Sequence, residues 1–216
     1  MACYFYLHGF ASSPRSKKAQ AMRSRFAALG LDLVIPDLNQ GDFTYLTLSR
    51  QIQQISALVL AQPEPVVLIG SSLGGLTAAW VAQQLSITGV KKLVLLAPAF
   101  DFLAQWLPRL GSDRLEAWRT EGTLPIYHYA EQRPLPLHHG FITDAQGYSD
   151  DDLNTDIPTL ILHGARDETI SIEASRAYTA SRPWARLVEL PSDHALADVE
   201  ADIWQHTQDF LRLGQL

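Results

Sequence analysis

The chain is 216 residues long, and its 47% hydrophobic and 19% charged residues exclude a disordered protein and suit one globular domain with a sizeable core. Its net charge is −6 and its lysines and arginines form no cluster, so neither nucleic acid nor an anionic membrane is an expected partner. The longest apolar runs, such as Leu93–Ala97, are far too short to span a bilayer. The single cysteine, Cys3, fits a reducing compartment, and no basic leader precedes the first apolar residues, so we expect a soluble, cytoplasmic protein.

Short apolar strands alternate with amphipathic helices along most of the chain. Predicted strands cover Cys3–Leu7, Leu31–Ile35, Val66–Ile69, Lys92–Ala97, Pro158–His163 and Ala185–Leu190. Predicted helices cover Lys17–Leu29, Thr44–Ala61, Leu73–Leu85, Ser171–Ala180 and Ala195–Leu213. This alternation is typical of α/β proteins, so we predict a doubly wound, mostly parallel sheet of six to seven strands with helices on both faces.

The segment Asp101–Asp156 interrupts this alternation. Its first part has apolar residues at helical spacing and predicts one or two helices: Phe102, Leu103, Trp106, Leu107, Leu110, Leu115 and Trp118. The part rich in proline and histidine, Leu124–Phe141, is expected to be extended or a hairpin. Insertions of this length are usually lids or binding loops, so we expect Phe102, Trp106 and Leu107 to bind substrate. A small helical packing layer and a dimer contact remain open as alternatives.

The stretch Gly70-Ser71-Ser72-Leu73-Gly74 fits the pattern Gly-x-Ser-x-Gly and lies between a buried strand and an Ala-rich helix. On such a turn the central serine has strained backbone angles and an exposed hydroxyl, and the glycines leave room for strand and helix to close around it. Ser72 is therefore the predicted nucleophile. Ser71 is the alternative, but only Ser72 has a glycine two residues away on each side.

Four blocks of sequence resemble the α/β-hydrolase superfamily. They are His8-Gly9, the elbow around Ser72, Gly164-Ala165-Arg166-Asp167 and Asp193-His194, in that order. The opening Tyr6-Leu7-His8-Gly9-Phe10, with Ser12-Ser13-Pro14-Arg15 and the Gly-Ser-Ser-Leu-Gly-Gly elbow, is most similar to the small bacterial YqiA/YcfP-type esterases. The resemblance implies one α/β-hydrolase domain over residues 1–216 with a lid at 101–156. It also implies a sheet that lacks the first two family strands, because the chain begins at the strand that normally comes third.

The superfamily places its acid and its histidine after the nucleophile, in the order Ser…acid…His. Asp167 follows the fifth predicted strand, where the family has its acid, and His194 follows the last predicted strand. The histidine would activate the serine hydroxyl, which is a weak nucleophile by itself, and the acid would orient the histidine. Glu168 is the alternative acid, whereas Asp193 would aim poorly at the ring of its own neighbour.

The remaining histidines are not expected to react. His128, His138 and His139 lie in the 101–156 segment and are expected to be exposed or to line a pocket, and the adjacent pair lacks a metal-ligand pattern. His163 lies inside a predicted strand and His206 on the final helix, and both are expected to be structural.

Acyl transfer also requires two N–H donors that converge on the developing negative charge. The N–H of Leu73, at the start of the helix, is one candidate. The resemblance implies that the N–H of Phe10 is the second, so that His8 and Gly9 shape the loop rather than react.

Together these residues predict a serine hydrolase that cleaves carboxyl esters or thioesters of small to medium acyl groups through an acyl-enzyme. The competing hypothesis is a hydrolase-fold protein that binds or regulates without turnover. A metal-dependent hydrolase is disfavoured because the sequence has no clustered ligands, so we expect no cofactor and no metal. The expected partner is a small-molecule ester or thioester, and the expected state is a monomer or homodimer.

Overall fold

The computed structural model describes residues 2–85 and 89–214 and contains one six-stranded parallel sheet and one hairpin. The strands are β1 (Cys3–Leu7), β2 (Leu33–Val34), β3 (Val66–Ser71), β4 (Val90–Leu96), β5 (Thr123–His128), β6 (Arg133–His138), β7 (Thr159–Gly164) and β8 (Ala185–Leu190). The spatial order of the sheet is β2-β1-β3-β4-β7-β8, and each neighbouring pair is parallel. β3 and β7 are buried along their whole length because helices cover both faces. The predicted doubly wound sheet is confirmed.

The helices are α1 (Lys17–Ala27), α2 (Leu48–Leu60), α3 (Leu73–Leu85), α4 (Phe102–Leu110), α5 (Ser112–Glu121), α6 (Gly140–Ala145), α7 (Ile172–Ala180) and α8 (Glu200–Leu211). Within the described ranges, none combines the length and the apolarity needed to cross a membrane. The hydroxyls of Ser16, Thr47 and Ser171 accept hydrogen bonds from N–H groups in the first turns of α1, α2 and α7. The Thr47 cap explains why α2 begins at Leu48 rather than at the predicted Thr44.

Two hydrophobic cores cover the two faces of the sheet. On one face, Phe26 of α1 and Ile203 of α8 pack in one cluster with Tyr6 of β1. On the other face, Ile55 of α2 and Ala78 of α3 belong to the second cluster, together with alternate strand residues. Successive strand residues point to opposite faces, so each apolar strand contributes to both cores.

The strand order creates a crevice at the carboxyl ends of β1 and β3. The chain leaves β1 toward β2 on one side and then returns past β1 to β3 on the other. Ligands of open α/β sheets bind at such a point, because the two connections run in opposite directions and leave a gap. The loop after β1 carries Gly9 and Phe10, and the turn after β3 carries Ser72.

The 101–156 segment packs onto this end of the molecule. Of the two alternatives for Leu124–Phe141, an extended stretch and a hairpin, the structure contains the hairpin, since β5 and β6 pair antiparallel from Thr123–His138 to His128–Arg133. Trp118 of α5 is fully buried, and its indole N–H donates to the Leu137 carbonyl at 2.8 Å. These residues share one continuous apolar cluster with the sheet. α4, by contrast, has no fully buried residue.

The final helix begins at Glu200, later than the predicted start at Ala195. The Asp193 carboxylate accepts the N–H groups of Ala195 and Leu196, and Leu196 has a φ of +54°, which lies outside the helical range. These residues therefore form a turn that holds the preceding His194 outside the helix.

β2 is shorter than the predicted Leu31–Ile35 because it lies at the edge of the sheet and pairs with β1 only through Leu33 and Val34. α1 ends at Ala27, two residues before the predicted Leu29, and Gly30 follows with a φ of +71°, a left-handed conformation that glycine commonly adopts after a helix.

Candidate active site

Ser72 lies in the turn between β3 and α3 and has a φ of +53°. A left-handed φ is strained for a residue with a side chain, and it is the conformation expected of the serine in a nucleophile elbow. The Ser72 N–H donates to the Leu96 carbonyl at 2.9 Å, and the Ser72 carbonyl accepts the N–H of Ala99 at 3.1 Å. β4 and the loop that follows it therefore hold the turn in place.

Gly70 and Gly74, which flank the turn at Ser72, have no space for a Cβ. A Cβ on Gly70 would lie 2.3 Å from the Gly74 carbonyl oxygen, and a Cβ on Gly74 would lie 2.3 Å from the Leu7 carbonyl oxygen. Real Cβ atoms essentially never come within 3.0 Å of another heavy atom in this way. The glycines thus let α3 close onto both β3 and β1, which aims the Ser72 hydroxyl out of the sheet.

Three side chains that are far apart in the sequence meet at this edge of the sheet. His194 Nε2 lies 3.1 Å from Ser72 Oγ, and His194 Nδ1 lies 2.7 Å from Asp167 Oδ2. Because the carboxylate accepts the Nδ1 hydrogen, Nε2 of the neutral ring carries a lone pair toward the Ser72 hydroxyl. This arrangement allows the imidazole to take the hydroxyl proton.

Gly164, at the end of β7, brings the His194 loop close to the sheet. A Cβ at this position would lie 2.4 Å from the Asp193 carbonyl oxygen and 2.5 Å from that of Ser192. The Arg166 N–H also donates to the Ser192 carbonyl at 2.9 Å. The chain after β7 and the chain after β8 are therefore in direct backbone contact, which sets the distance from Asp167 to His194.

The Asp167 side chain is completely buried and has four hydrogen-bond donors around it. Oδ1 accepts the N–H groups of Thr169 and Ile170 at 2.8 and 2.9 Å, while Oδ2 accepts from His194 and from His163. Burial by itself would raise the pKa of this carboxyl, but the hydrogen bonds from the two histidines outweigh it and hold the pKa well below the ordinary value. Asp167 is therefore ionised at neutral pH.

His163, expected to be structural, contacts the candidate acid directly. Its Nε2 lies 3.1 Å from Asp167 Oδ2 and 3.0 Å from the Ile170 carbonyl oxygen, and its Nδ1 lies 2.8 Å from Ser175 Oγ. The ring is fully buried. The only sequence signal for this contact is the close spacing in His163-Gly-Ala-Arg-Asp167, which does not reveal that the chain folds back on itself at Gly164.

Two backbone N–H groups lie beside Ser72 without an acceptor. Among the hydrogen bonds of the described residues, none is donated by the N–H of Leu73 or of Phe10. Leu73 follows Ser72 directly at the start of α3. Gly9, which precedes Phe10, also lies close to Ser72, since a Cβ built on Gly9 would be 3.3 Å from the Ser72 Cβ. Unpaired N–H groups in such a place can receive an oxyanion.

The loop after β2 holds the loop that carries Phe10. Leu38 donates its N–H to Nε2 of the buried His8 at 3.0 Å, and His8 Nδ1 lies 3.0 Å from the Gly9 carbonyl oxygen. A neutral ring with its hydrogen on Nδ1 satisfies both partners. Farther along, Asn39 Nδ2 donates to the Ser12 carbonyl at 2.8 Å. The positions expected only to shape the loop are thus part of its hydrogen-bonded support.

The three predicted substrate-binding residues lie on α4 and are half-buried. Trp106 meets the Phe10 ring edge-on with centroids 5.7 Å apart, and Phe102 packs on Phe141 at 5.9 Å. Phe141 in turn stacks on Phe10 at 5.3 Å, and Leu107 packs against the same core. Trp106 and Phe141 therefore contact the Phe10 ring directly, and Phe102 is joined to it through Phe141.

The alternative nucleophile and acids lie outside this arrangement. Ser71 Oγ accepts a hydrogen bond from Lys18 Nζ at 3.2 Å, and burial lowers the pKa of the Lys18 ammonium to about 8. No hydrogen bond within the described residues joins the His194 ring to Ser71, to Glu168 or to the Asp193 carboxylate.

A cavity of about 470 Å³ lies beside residues 13–15 of the loop that follows β1. Its lining residues include Ser13, Arg15, Asp37, Asn39, His128 and Arg133, and do not include Ser72. Asn39 in this lining donates to the Ser12 carbonyl, and the lining carries both acidic and basic side chains. The predicted pocket position of His128 is observed here, but the cavity is not part of the site around Ser72.

Solved structures of other proteins share this fold. Alpha/beta hydrolase domain-containing protein 10 from mouse is 20% identical, with 97% of this chain and 89% of that chain covered and a TM-score of 0.80. Est1E from Butyrivibrio proteoclasticus, solved with ferulic acid bound, is 21% identical, with coverages of 98% and 88% and a TM-score of 0.80. A monoacylglycerol lipase from Paleococcus ferrophilus is 15% identical, with coverages of 96% and 93% and a TM-score of 0.78.

These similarities confirm the α/β-hydrolase fold that the four sequence blocks imply. A family model also matches nearly the whole sequence, over residues 3–211. The chain therefore belongs to the uncharacterised protein family UPF0227.

Proposed function

We propose that this protein is a serine hydrolase that cleaves carboxyl esters or thioesters of small to medium acyl groups through an acyl-enzyme. One observation carries the proposal: the hydrogen bonds of 3.1 Å from Ser72 to His194 and 2.7 Å from His194 to Asp167. Among the fold neighbours, the esterase Est1E and the monoacylglycerol lipase give additional support.

Acylation begins when Ser72 Oγ attacks the substrate carbonyl carbon and His194 Nε2 takes the hydroxyl proton. The ionised Asp167, kept anionic by its four donors, stabilises the imidazolium that forms. The negative charge on the former carbonyl oxygen is received by the N–H groups of Leu73 and Phe10. The carbon–oxygen or carbon–sulfur bond then breaks, and the leaving alcohol or thiol receives the proton from His194.

Deacylation repeats these steps with water. His194 removes a proton from a water molecule that attacks the acyl-Ser72 carbonyl carbon, and the same two N–H groups receive the oxyanion. When the bond to Ser72 Oγ breaks, His194 returns the proton to the serine, the carboxylic acid leaves and the free enzyme is restored.

The aromatic side chains around Phe10 define the proposed acyl-binding wall. Phe102, Trp106 and Leu107 present apolar surface from α4, which has no fully buried residue, in contrast to α5 and α6. Gln105 ties α4 to the body of the protein, since its side chain accepts the Ser171 N–H and donates to the Phe100 carbonyl. We therefore propose that residues 101–156 act as the lid, and that the protein works in the cytoplasm as a monomer or homodimer.

A fluorophosphonate probe tests the nucleophile. Wild type should be labelled and should hydrolyse p-nitrophenyl acetate and butyrate, whereas Ser72→Ala should lose labelling and at least about 10⁴-fold in kcat. Ser71→Ala is the matched control, one residue away, and should retain labelling. A folded wild type that is neither labelled nor active would favour the non-catalytic binding protein instead.

A panel of esters and thioesters with graded acyl length tests whether the side chains on α4 bind the acyl group. Trp106→Ala should raise KM for the longer acyl groups more than for acetate, because only longer chains reach the aromatic side chains. An unchanged profile across the panel would remove Trp106 from the proposed acyl site. Light scattering on the same samples separates monomer from homodimer.

A further inference from the structure

The acid of the proposed triad is shared by two histidines. Asp167 Oδ2 lies 2.7 Å from His194 Nδ1 and 3.1 Å from Nε2 of His163, which stands on β7 directly behind the site. His163 is fully buried, so this contact is shielded from water, and the Asp167 side chain is equally inaccessible. No step of the proposed acylation or deacylation uses His163.

The neighbours of His163 fix which ring nitrogen carries the hydrogen. Nε2 faces two acceptors, the Asp167 carboxylate and the Ile170 carbonyl oxygen at 3.0 Å, so it must be the donor. Nδ1 faces Ser175 Oγ at 2.8 Å, and the hydroxyl of Ser175, which is fully buried, can donate to it. A neutral imidazole that shares its Nε2 hydrogen between the two acceptors and accepts from Ser175 through Nδ1 therefore fits these three hydrogen-bond partners.

We infer that His163 is a positioning residue for the proposed triad: its Nε2–H, oriented by Ser175, holds Asp167 Oδ2 in place and limits how strongly that oxygen attracts the proton on His194. This inference rests on the proposed function, because it concerns the same site. His163 touches neither substrate nor Ser72 and acts only through Asp167.

The inference predicts a pH effect with a definite sign. An oxygen that loses one of two donors becomes a better acceptor for the other, so removing the His163 N–H should stabilise the protonated form of His194. Two other charged groups act on this pair among the described residues. Lys18 on α1 interacts with Asp167, and also with Asp193 and with Glu200 on α8. Glu189 on β8, the register partner of His163, interacts with His163 itself. None of these is altered in the variants below, so they do not contribute to the difference.

The test compares His163→Leu with His163→Gln. In His163→Leu we expect kcat to fall about 10-fold with little change in KM, and the acid limb of kcat/KM to move up by about one pH unit. His163→Gln places an amide N–H near the position of Nε2 and should restore most of both. His206→Leu, a histidine on α8 outside the site, is the matched control and should behave as wild type.

Two NMR measurements test the contact between His163 and Asp167 without requiring catalytic activity, and the first requires no variant. Imidazole ¹⁵N NMR of the wild type should show His163 as the neutral ring with its hydrogen on Nε2, and an Nδ1–H tautomer would overturn the inference even if His163→Leu fails to fold. The His194 titration followed by the same NMR should move to higher pH in His163→Leu or, more weakly, in Ser175→Ala.

Unchanged kinetics and an unchanged His194 titration in a folded His163→Leu would also overturn the inference. If no variant turns over any ester but the NMR results are as expected, the hydrolase proposal fails and the positioning contact stands.

Discussion

The replacement Gly164→Ala should disable the proposed triad without touching any of its three side chains. The added Cβ would meet the Asp193 carbonyl oxygen at 2.4 Å and the Ser192 carbonyl oxygen at 2.5 Å. Both are backbone atoms, so no side-chain rotation relieves the clash. The loop that carries His194 must move away from the end of β7.

The size of the movement follows from these distances. To reach even 3.0 Å, the shortest approach that real Cβ atoms show, the Asp193 oxygen must retreat by 0.6 Å, the difference between 3.0 and 2.4 Å. If His194 follows, its contact with Ser72 lengthens from 3.1 Å toward about 3.7 Å, beyond the usual range for a hydrogen bond. A misplacement of about 1 Å can cost about 10²-fold in rate, so this smaller shift should cost up to that amount.

The assay is kcat for p-nitrophenyl butyrate hydrolysis, with circular dichroism to confirm the fold. Gly164→Ala should lose roughly 30- to 100-fold in kcat and label more slowly with a fluorophosphonate. Gly147→Ala is the matched control, because its Cβ would meet only the Asp144 carbonyl oxygen, at 3.3 Å, and no residue of the loop that carries His194. A folded Gly164→Ala with wild-type kcat would show that the loop contact does not set the distance from His194 to Ser72.

Two predictions concern the 101–156 segment. Trp118→Phe should lower the free energy of unfolding by about 1–3 kcal/mol, as measured by urea unfolding, because the Leu137 carbonyl loses its donor inside the core. Trp106→Phe, at a half-buried position on α4, should cost less. Asp150 accepts the Asp101 N–H at 2.6 Å, and burial raises the pKa of its carboxyl to about 6. The raised pKa means that the native state prefers the protonated form, so stability from this group is present below about pH 4 and is lost as pH rises through 6. Asp150→Asn should therefore unfold like wild type near pH 4 but be more stable by about 1 kcal/mol at pH 7, with Asp151→Asn as the neighbouring control; equal stability at pH 7 would contradict this.

The sequence alone determined the order of elements and the type of fold. Short apolar runs, a serine between two glycines and amphipathic helices are local patterns, and the backbone follows them because each segment must bury its apolar side chains. The same patterns located Ser72 as a candidate, and the resemblance to the α/β-hydrolase superfamily added Asp167 and His194. The predicted start of α8 was wrong by several residues, because the Asp193 carboxylate accepts the N–H groups of Ala195 and Leu196 and stabilises a turn there.

Only the tertiary structure decided which side chains meet, and at what distance. The backbone contact of Gly164 with residues 192–193 brings Asp167 to His194, and the strand order brings both to Ser72. Nothing local in the sequence marks His163 as the second histidine on Asp167, because its pattern is that of any residue in a buried strand. Convergence of this kind depends on packing between segments that are distant in the chain, and such packing has no periodic signature for a sequence to display.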